Sequence, residues 1–223
     1  GTGFLGRAIV REALARNLGV VATRRHGTWT EPEAGWEVLD VLDHDEVARV
    51  IERHRPRAVV NAAYVLSGPD LVAVTGRAPA AMSRAARRTG SRFLHLSTDL
   101  VFDGTSTRAY VESDQPRPIL EYGQVKFDSE RAVMTTDPEA LVVRTSLLHG
   151  GVEPGPQEDM VRRAANGADI SFFVDEIRSP VRVGEVAAGL LDLTLTRRAV
   201  GLWHLAGDQP LNRLAFARRL ALS

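Results

Sequence analysis

The chain opens Gly1-Thr2-Gly3-Phe4-Leu5-Gly6-Arg7-Ala8-Ile9-Val10, a G-x-G-x-x-G run that leads straight into helix-forming residues. Glycines at 1 and 3 permit backbone conformations closed to other residues and let a ligand approach the main chain. A glycine at 6 lets a helix pack tightly on its neighbouring strand. The free N–H groups and dipole of that helix favour phosphate. The same run also suits an ordinary glycine-rich turn, so the rest of the chain has to decide. A loop of this kind normally follows a buried strand, and here it stands at residue 1.

Outward from the loop, short β-branched runs alternate with Ala/Arg-rich helical stretches. Helices are expected at 6–17, 44–54, 78–88 and 122–134, and strands at 20–23, 36–40, 58–63, 93–99 and 140–146. This alternation implies a parallel sheet with helices on both faces, and such sheets bind ligands at the carboxyl ends of their strands. Asn61, Ser97, Thr98, Asp99 and Ser146 fall at such ends. After Gly150 the stretch GGVEPGPQED reads as a loop between regions. Beyond it come a helix at 160–166, a strand at 170–174, a helix at 183–195, a strand at 202–206 and a last helix from Asn212. The expected organisation is a dinucleotide-binding domain over 1–150 and a smaller α/β substrate cap over 151–223.

Charge and composition exclude several classes. Lys plus Arg and Asp plus Glu balance at 28 each, so no bulk field points to nucleic acid or an anionic membrane. The absence of cysteine removes disulfides, thiol catalysis and Cys-ligated metal, and suits a reducing, cytoplasmic setting. No apolar run approaches the roughly 20 residues of a membrane span. The six histidines show no metal-ligand spacing, so no catalytic metal is expected.

Three further features carry chemistry. Arg24 and Arg25 end the strand expected at 20–23, where an arginine suits the 2′-phosphate of NADP as an acid suits the 2′-hydroxyl of NAD; a solvated basic loop is the other reading. Asp40 ends the strand expected at 36–40 and could accept from an adenine amino group, or simply start a helix beside Asp43 and Asp45. In EYGQVKFDSE, Tyr122 and Lys126 are four apart and share a helix face. An ammonium beside a phenol favours phenolate, which would make Tyr122 a general acid/base near neutral pH. A surface tyrosine covered by a lysine stem would give the same spacing.

Taken together, GTGFLG, LDVLD, VVNAAY, HLSTDLVFDG, YVESDQPRPILEYGQVKFDSE, VVRTSLLHG, FVDEIRSPVRVGEVAAGL and GLWHLAGD resemble the extended short-chain dehydrogenase/reductases, and within them the dTDP-4-dehydrorhamnose reductase group. The resemblance covers nearly the whole chain. It implies a Rossmann-like doubly wound sheet and hydride transfer from NADPH, or NADH, to the C4 ketone of a nucleotide-linked 6-deoxy sugar. On this resemblance Thr98 binds the substrate carbonyl, Tyr122 protonates the nascent alkoxide, and Lys126 binds the nicotinamide ribose and lowers the tyrosine pKa. Gly1, Gly3, Phe4, Leu5, Gly6, Arg24, Asp40, Val41, Asn61, Ala62 and Ala63 match the cofactor side. Val101, Phe102, Ser146, His149 and Pro180 match the substrate side. Homodimerisation is common in the superfamily and is implied here as well.

The resemblance also implies a strand and a further glycine before Gly1, and the last helix runs to Ser223 with no stop signal, so the sequence reads as trimmed at both ends. Two departures stand out. Thr75 occupies the place of an asparagine that helps hold a relay water near the lysine, and Leu147, Leu148 and His149 replace the usual aromatic residues of the substrate side. The expected function is reduction of a nucleotide-sugar ketone. The alternatives are a nucleotide-sugar epimerase or dehydratase, and a non-catalytic NADP-binding regulatory subunit.

Overall fold

Strand and helix alternate as the sequence pattern requires. The computed structural model describes residues 1–26, 31–196 and 199–222. In chain order the elements are α1 (Phe4–Ala15), β1 (Val21–Arg24), β2 (Gly35–Val38), α2 (His44–His54), β3 (Ala58–Asn61), a π-helical segment (Leu71–Arg77), α3 (Ala78–Arg88), β4 (Arg92–Thr98), a single 3-10 turn (Asp99–Val101), α4 (Glu121–Thr136) and β5 (Leu141–Thr145). Then follow β6 (Leu148–His149), α5 (Pro156–Ala165), β7 (Ile177–Arg178), β8 (Val181–Arg182), α6 (Val183–Leu195), β9 (Gly201–Leu205), β10 (Leu211–Asn212) and α7 (Arg213–Leu220).

Local chemistry sets several of these boundaries. The Asp43 carboxylate accepts from the Glu46 N–H and caps α2; Asp45 and Glu46 sit in its first turn, Arg53 and His54 in its last. The two acids and Arg53 each complement the helix dipole at their own end. Pro79 opens α3, where its missing N–H costs nothing.

The central sheet runs β3-β4-β5-β9, all parallel, and β1 and β2 form a separate parallel pair. Side chains alternate across β4 and β5, so each face buries its own core. Phe93 and Val142 pack with Val47, Val50, Ile51, Met82, Ala86 and Val133 of α2, α3 and α4. Leu94, Leu96, Leu141 and Val143 pack with Leu5, Ile9, Val186 and Leu190 of α1 and α6. The fold is thus α/β, a Rossmann-like parallel sheet covered on both faces.

Two expectations for the region after Gly150 need correction. The strand expected at 202–206 forms as β9, but it pairs with β5 and extends the central sheet rather than lying in a separate cap. Residues 170–174 form no strand. Phe173 and Val174 have strand-forming side chains but lie exposed, and among the described residues Phe173 makes a single backbone bond, from the Leu214 N–H at 3.2 Å, whereas Ile177–Arg178 pair with β10. A strand needs its partner as much as its composition. Ser223, where the last helix was expected to run out, lies outside the described residues.

Candidate active site

The alternation that builds the core also builds the site. His95 and Ser97 project from β4 to the same side as Phe93, towards α4. Arg144, opposite Ser97 in the ladder, joins them from β5. There α4 presents Lys126, Ser129 and Glu130, all buried. Arg144 makes a bidentate pair with Glu130 at 2.9 and 2.7 Å, and Ser97 donates to the same carboxylate. Two buried charges are thereby matched and hydrogen-bonded, the condition under which such a pair persists.

A second buried chain of hydrogen bonds runs across the sheet. Ser129 Oγ donates to the Lys126 carbonyl at 2.8 Å, so it must accept from His95 Nε2 at 2.8 Å. His95 Nδ1 is then the acceptor, facing Asn61 Nδ2 at 3.1 Å. This leaves Asn61 Oδ1 to receive the Ala63 N–H at 3.1 Å. Every donor meets an acceptor with one tautomer of one neutral imidazole. Burial and the nearby Lys126 charge hold His95 well below the usual histidine range, which keeps it neutral.

Above this relay lie the three residues expected to do chemistry. Gly123 lets the first turn of α4 close against the end of β4, because a Cβ there would overlap the Leu100 carbonyl. Thr98 Oγ1 accepts from the Leu100 N–H at 3.2 Å and donates a long 3.3 Å bond to Asp99. Lys126 Nζ donates to the Leu96 carbonyl at 2.8 Å, and burial brings its pKa down to about 8. Tyr122 is half-buried. Its pKa is raised, first by desolvation, then by Tyr64 and Asp99, with Arg178 opposing. The balance of these influences in this structure is upward. Burial and two groups that disfavour phenolate keep the phenol protonated.

Asp99 is the hub of the opposite wall. It receives Ser146 Oγ at 2.5 Å and Arg178 Nε at 2.7 Å, with Arg178 Nη2 completing a bidentate pair. Arg178 also holds Glu176 at 3.0 Å, and Ser146 Oγ accepts from the Ser179 N–H at 3.2 Å. Ser146 and the Ser179–Pro180 stretch are thus joined to the end of β4. Val101 and Phe102 are buried instead; Phe102 stacks on Tyr110 with centroids 4.1 Å apart, beneath the Arg144 guanidinium. His149 packs edge-on against Phe216 of α7, with centroids 5.3 Å apart.

The glycine run divides by role. A Cβ on Gly6 would stand 2.7 Å from the Gly1 carbonyl oxygen, and one on Gly1 2.9 Å from Ala22 Cβ, so both are needed for packing. Gly3 has open space instead, which exposes its backbone. α1 begins there with no capping side chain and no acid in its first turn. A cleft of about 510 Å³ adjoins it, lined among others by Thr2, Gly3, Arg7, Gly155 and Arg162. An exposed, uncapped helix start beside arginines fits a diphosphate. Leu5 and Ala62 pack against the core on the α1 and α6 face, and Val41 against the core on the other face. Further round, the Arg24 guanidinium lies 5.9 Å from the Trp36 ring centroid, and Arg25 lies 3.9 Å from Asp40. Among the described residues no cluster of side chains could hold a metal ion, and no helix is long and apolar enough to cross a membrane.

Several site residues escape a reading by spacing. Tyr64, whose ring lies 6.3 Å from that of Tyr122, had the signal of directly following Asn61-Ala62-Ala63. Gly123 had the signal of a glycine inside a helix. Arg178, Arg144 and Glu130 carried none.

Comparison with known proteins agrees with this geometry. The family model described as the RmlD substrate binding domain matches residues 1–222. A protein named as a probable low-salt glycan biosynthesis reductase, from Haloferax volcanii, is 30% identical over 98% of this chain and 76% of its own length. The dTDP-4-keto-6-deoxy-D-glucose reductase of Streptomyces niveus is 32% identical over 91% of this chain and 69% of its own. A solved structure titled as a hypothetical dTDP-4-dehydrorhamnose reductase, from Sulfolobus tokodaii, superposes with a TM-score of 0.83 at 25% identity, covering 99% of this chain and 79% of that one.

Proposed function

This chain belongs to the RmlD substrate-binding-domain family, and from that premise we propose that it is an NADPH-dependent reductase of a nucleotide-linked 4-keto-6-deoxy sugar. The observation that carries the reading is the half-buried Tyr122 on the first turn of α4, which Gly123 seats against the Leu100 carbonyl just beyond Thr98, on the helix that also carries the buried Lys126. Reduction of a ketone needs a proton donor in place as negative charge builds on oxygen. The phenol of Tyr122 is that donor. Thr98 exchanges its long bond to Asp99 for the carbonyl oxygen and holds it in line. Lys126 supplies positive charge beneath the site.

The cofactor supplies the hydride when bound. The exposed backbone at Gly3 and the start of α1, with Phe4, hold its diphosphate. Arg24 and Arg25 meet a 2′-phosphate; NAD is the second choice. Asp40 lies on the adenine side, and Asn61 with Ala63 lines the segment between. On this proposal α6 and β9 complete the cofactor-side sheet, and the substrate side is built from the remaining elements after Gly150, with Ser146 and Pro180 at their junction. A cysteine-free enzyme using a reduced nicotinamide belongs in the cytoplasm.

The test follows NADPH oxidation with a dTDP-linked 4-keto-6-deoxy sugar. Tyr122→Phe is expected to lower kcat at least 100-fold while leaving the NADP⁺ dissociation constant within threefold. Cofactor binding without turnover by the wild type would remove the reductase reading and favour a binding role.

A further inference from the structure

Tyr64 is a large aromatic residue left 51% exposed in the middle of the site. Its ring centroid lies 5.9 Å from Lys126 Nζ and 6.3 Å from the Tyr122 ring, tilted 59° to it. The backbone on both sides of it is fixed. The Ala63 N–H is held by buried Asn61. The Val65 N–H and C=O are both held by Thr75 Oγ1, at 2.9 Å each. Thr75 is fully buried within the π-helical segment. Its hydroxyl is spent on Val65, so in this arrangement Thr75 anchors the loop bearing Tyr64 and is not turned towards Lys126. A seven-residue π-helix is uncommon, and such segments recur at functional sites. Two buried polar side chains and an unusual helix thus converge on holding one half-open tyrosine, whose hydroxyl has no protein hydrogen-bond partner among the described residues.

We infer that Tyr64 is the aromatic platform on which the nicotinamide ring of the cofactor rests. The inference builds on the reductase reading above. A hydride donor must come within near-attack range, about 3–3.5 Å, of a carbonyl carbon held by Tyr122 and Thr98. The donor ring therefore has to lie beside Tyr122, where Tyr64 is the aromatic surface on offer. The two rings suit each other: a tyrosine face is electron-rich, and nicotinamide is electron-poor and becomes a cation when oxidised. The Lys126 ammonium near that ring shows the same preference for positive charge.

Equilibrium titration separates this role from others. Wild type, Tyr64→Leu and Tyr64→Phe are titrated with NADP⁺ and with 2′-phospho-ADP-ribose, the same molecule without its nicotinamide, and the near-ultraviolet difference spectrum is recorded. Tyr64→Leu is expected to weaken NADP⁺ about 10-fold and leave the fragment within twofold. Tyr64→Phe keeps NADP⁺ within threefold. A long-wavelength band from the tyrosine–pyridinium pair is expected in the wild type and absent in Tyr64→Leu. Unchanged NADP⁺ affinity in Tyr64→Leu, with the fragment still bound, overturns the inference. So does a higher KM for the ketone at constant NADP⁺ affinity, which would turn the ring towards the substrate. If neither NADP⁺ nor the fragment binds the wild type, the cofactor reading itself fails and the platform falls with it; intact fragment binding distinguishes the two failures.

Discussion

Tyr122 keeps its proton because burial, Tyr64 and Asp99 all disfavour phenolate. As a donor it therefore stays competent well into alkaline solution. Lys126 behaves differently: burial lowers it from 10.5 to about 8, so its positive charge is lost as pH rises through about 8. The KM for NADPH is expected to climb above that pH, and in Lys126→Met to be raised at neutral pH and flat beyond it. Steady-state profiles between pH 6 and 9.5 check this. His95 gives a second pH dependence, on stability. Its unfolded value is near 6.5 and its folded value well below. Between the two, the unfolded chain binds more protons, so stability falls as pH drops below about 6.5, by up to about 1.4 kcal/mol per pH unit. Protonation would also turn an N–H towards the Asn61 amide. Urea unfolding at pH 7 and pH 5 should show this loss in the wild type and much less of it in His95→Gln.

At the scale of elements, the site depends on how closely α4 meets the end of β4. Gly123 permits that contact, and a Cβ there would strike the Leu100 carbonyl, which a flexible side chain could not relieve. Gly123→Ala is expected to cost about 1–3 kcal/mol of stability and at least 10-fold in kcat, with a smaller change in NADP⁺ affinity, measured by unfolding and kinetics on the same preparation. Elements with their own local signals were legible in the sequence. α2, α3 and α6 form over the expected residues because apolar spacing, and in α2 and α3 an end signal, agree there. The π-helical segment was not legible: its sequence differs little from an α-helix, and its form comes from packing against α4 and from the Thr75–Val65 contacts. Tyr122 and Lys126 could be paired from their spacing, whereas Asn61, His95 and Ser129 stand 34 residues apart at each step and meet only through sheet register and helix docking.

Across the whole molecule, the glycine run at the start of the chain is fastened to the region after Gly150. The Phe4 ring sits between two glycines, where a Cβ on Gly151 would come within 2.6 Å and one on Gly155 within 2.5 Å. Arg11 of α1 grips Glu153 at 2.6 and 3.0 Å, and the Glu158 carboxylate receives both the Gly150 and Gly155 N–H groups. The loop proposed to hold the diphosphate is therefore set by residues some 150 positions away, a coupling that no local reading of GTGFLG contains. Gly155→Ala should displace Phe4 and weaken NADP⁺ about 10-fold, with partial recovery in Gly155→Ala/Phe4→Leu; fluorescence titration decides. Hydride transfer assisted by Tyr122 is tested by a single turnover with NADPH deuterated at C4 of the nicotinamide, on each face in turn. The wild type is expected to deliver one deuterium from one face to the carbinol carbon of the sugar product, and Tyr122→Phe, still binding cofactor, almost none in the same time. A wild type that binds the labelled cofactor and the ketone yet transfers no deuterium, or a Tyr122→Phe variant that transfers it at the wild-type rate, would contradict it.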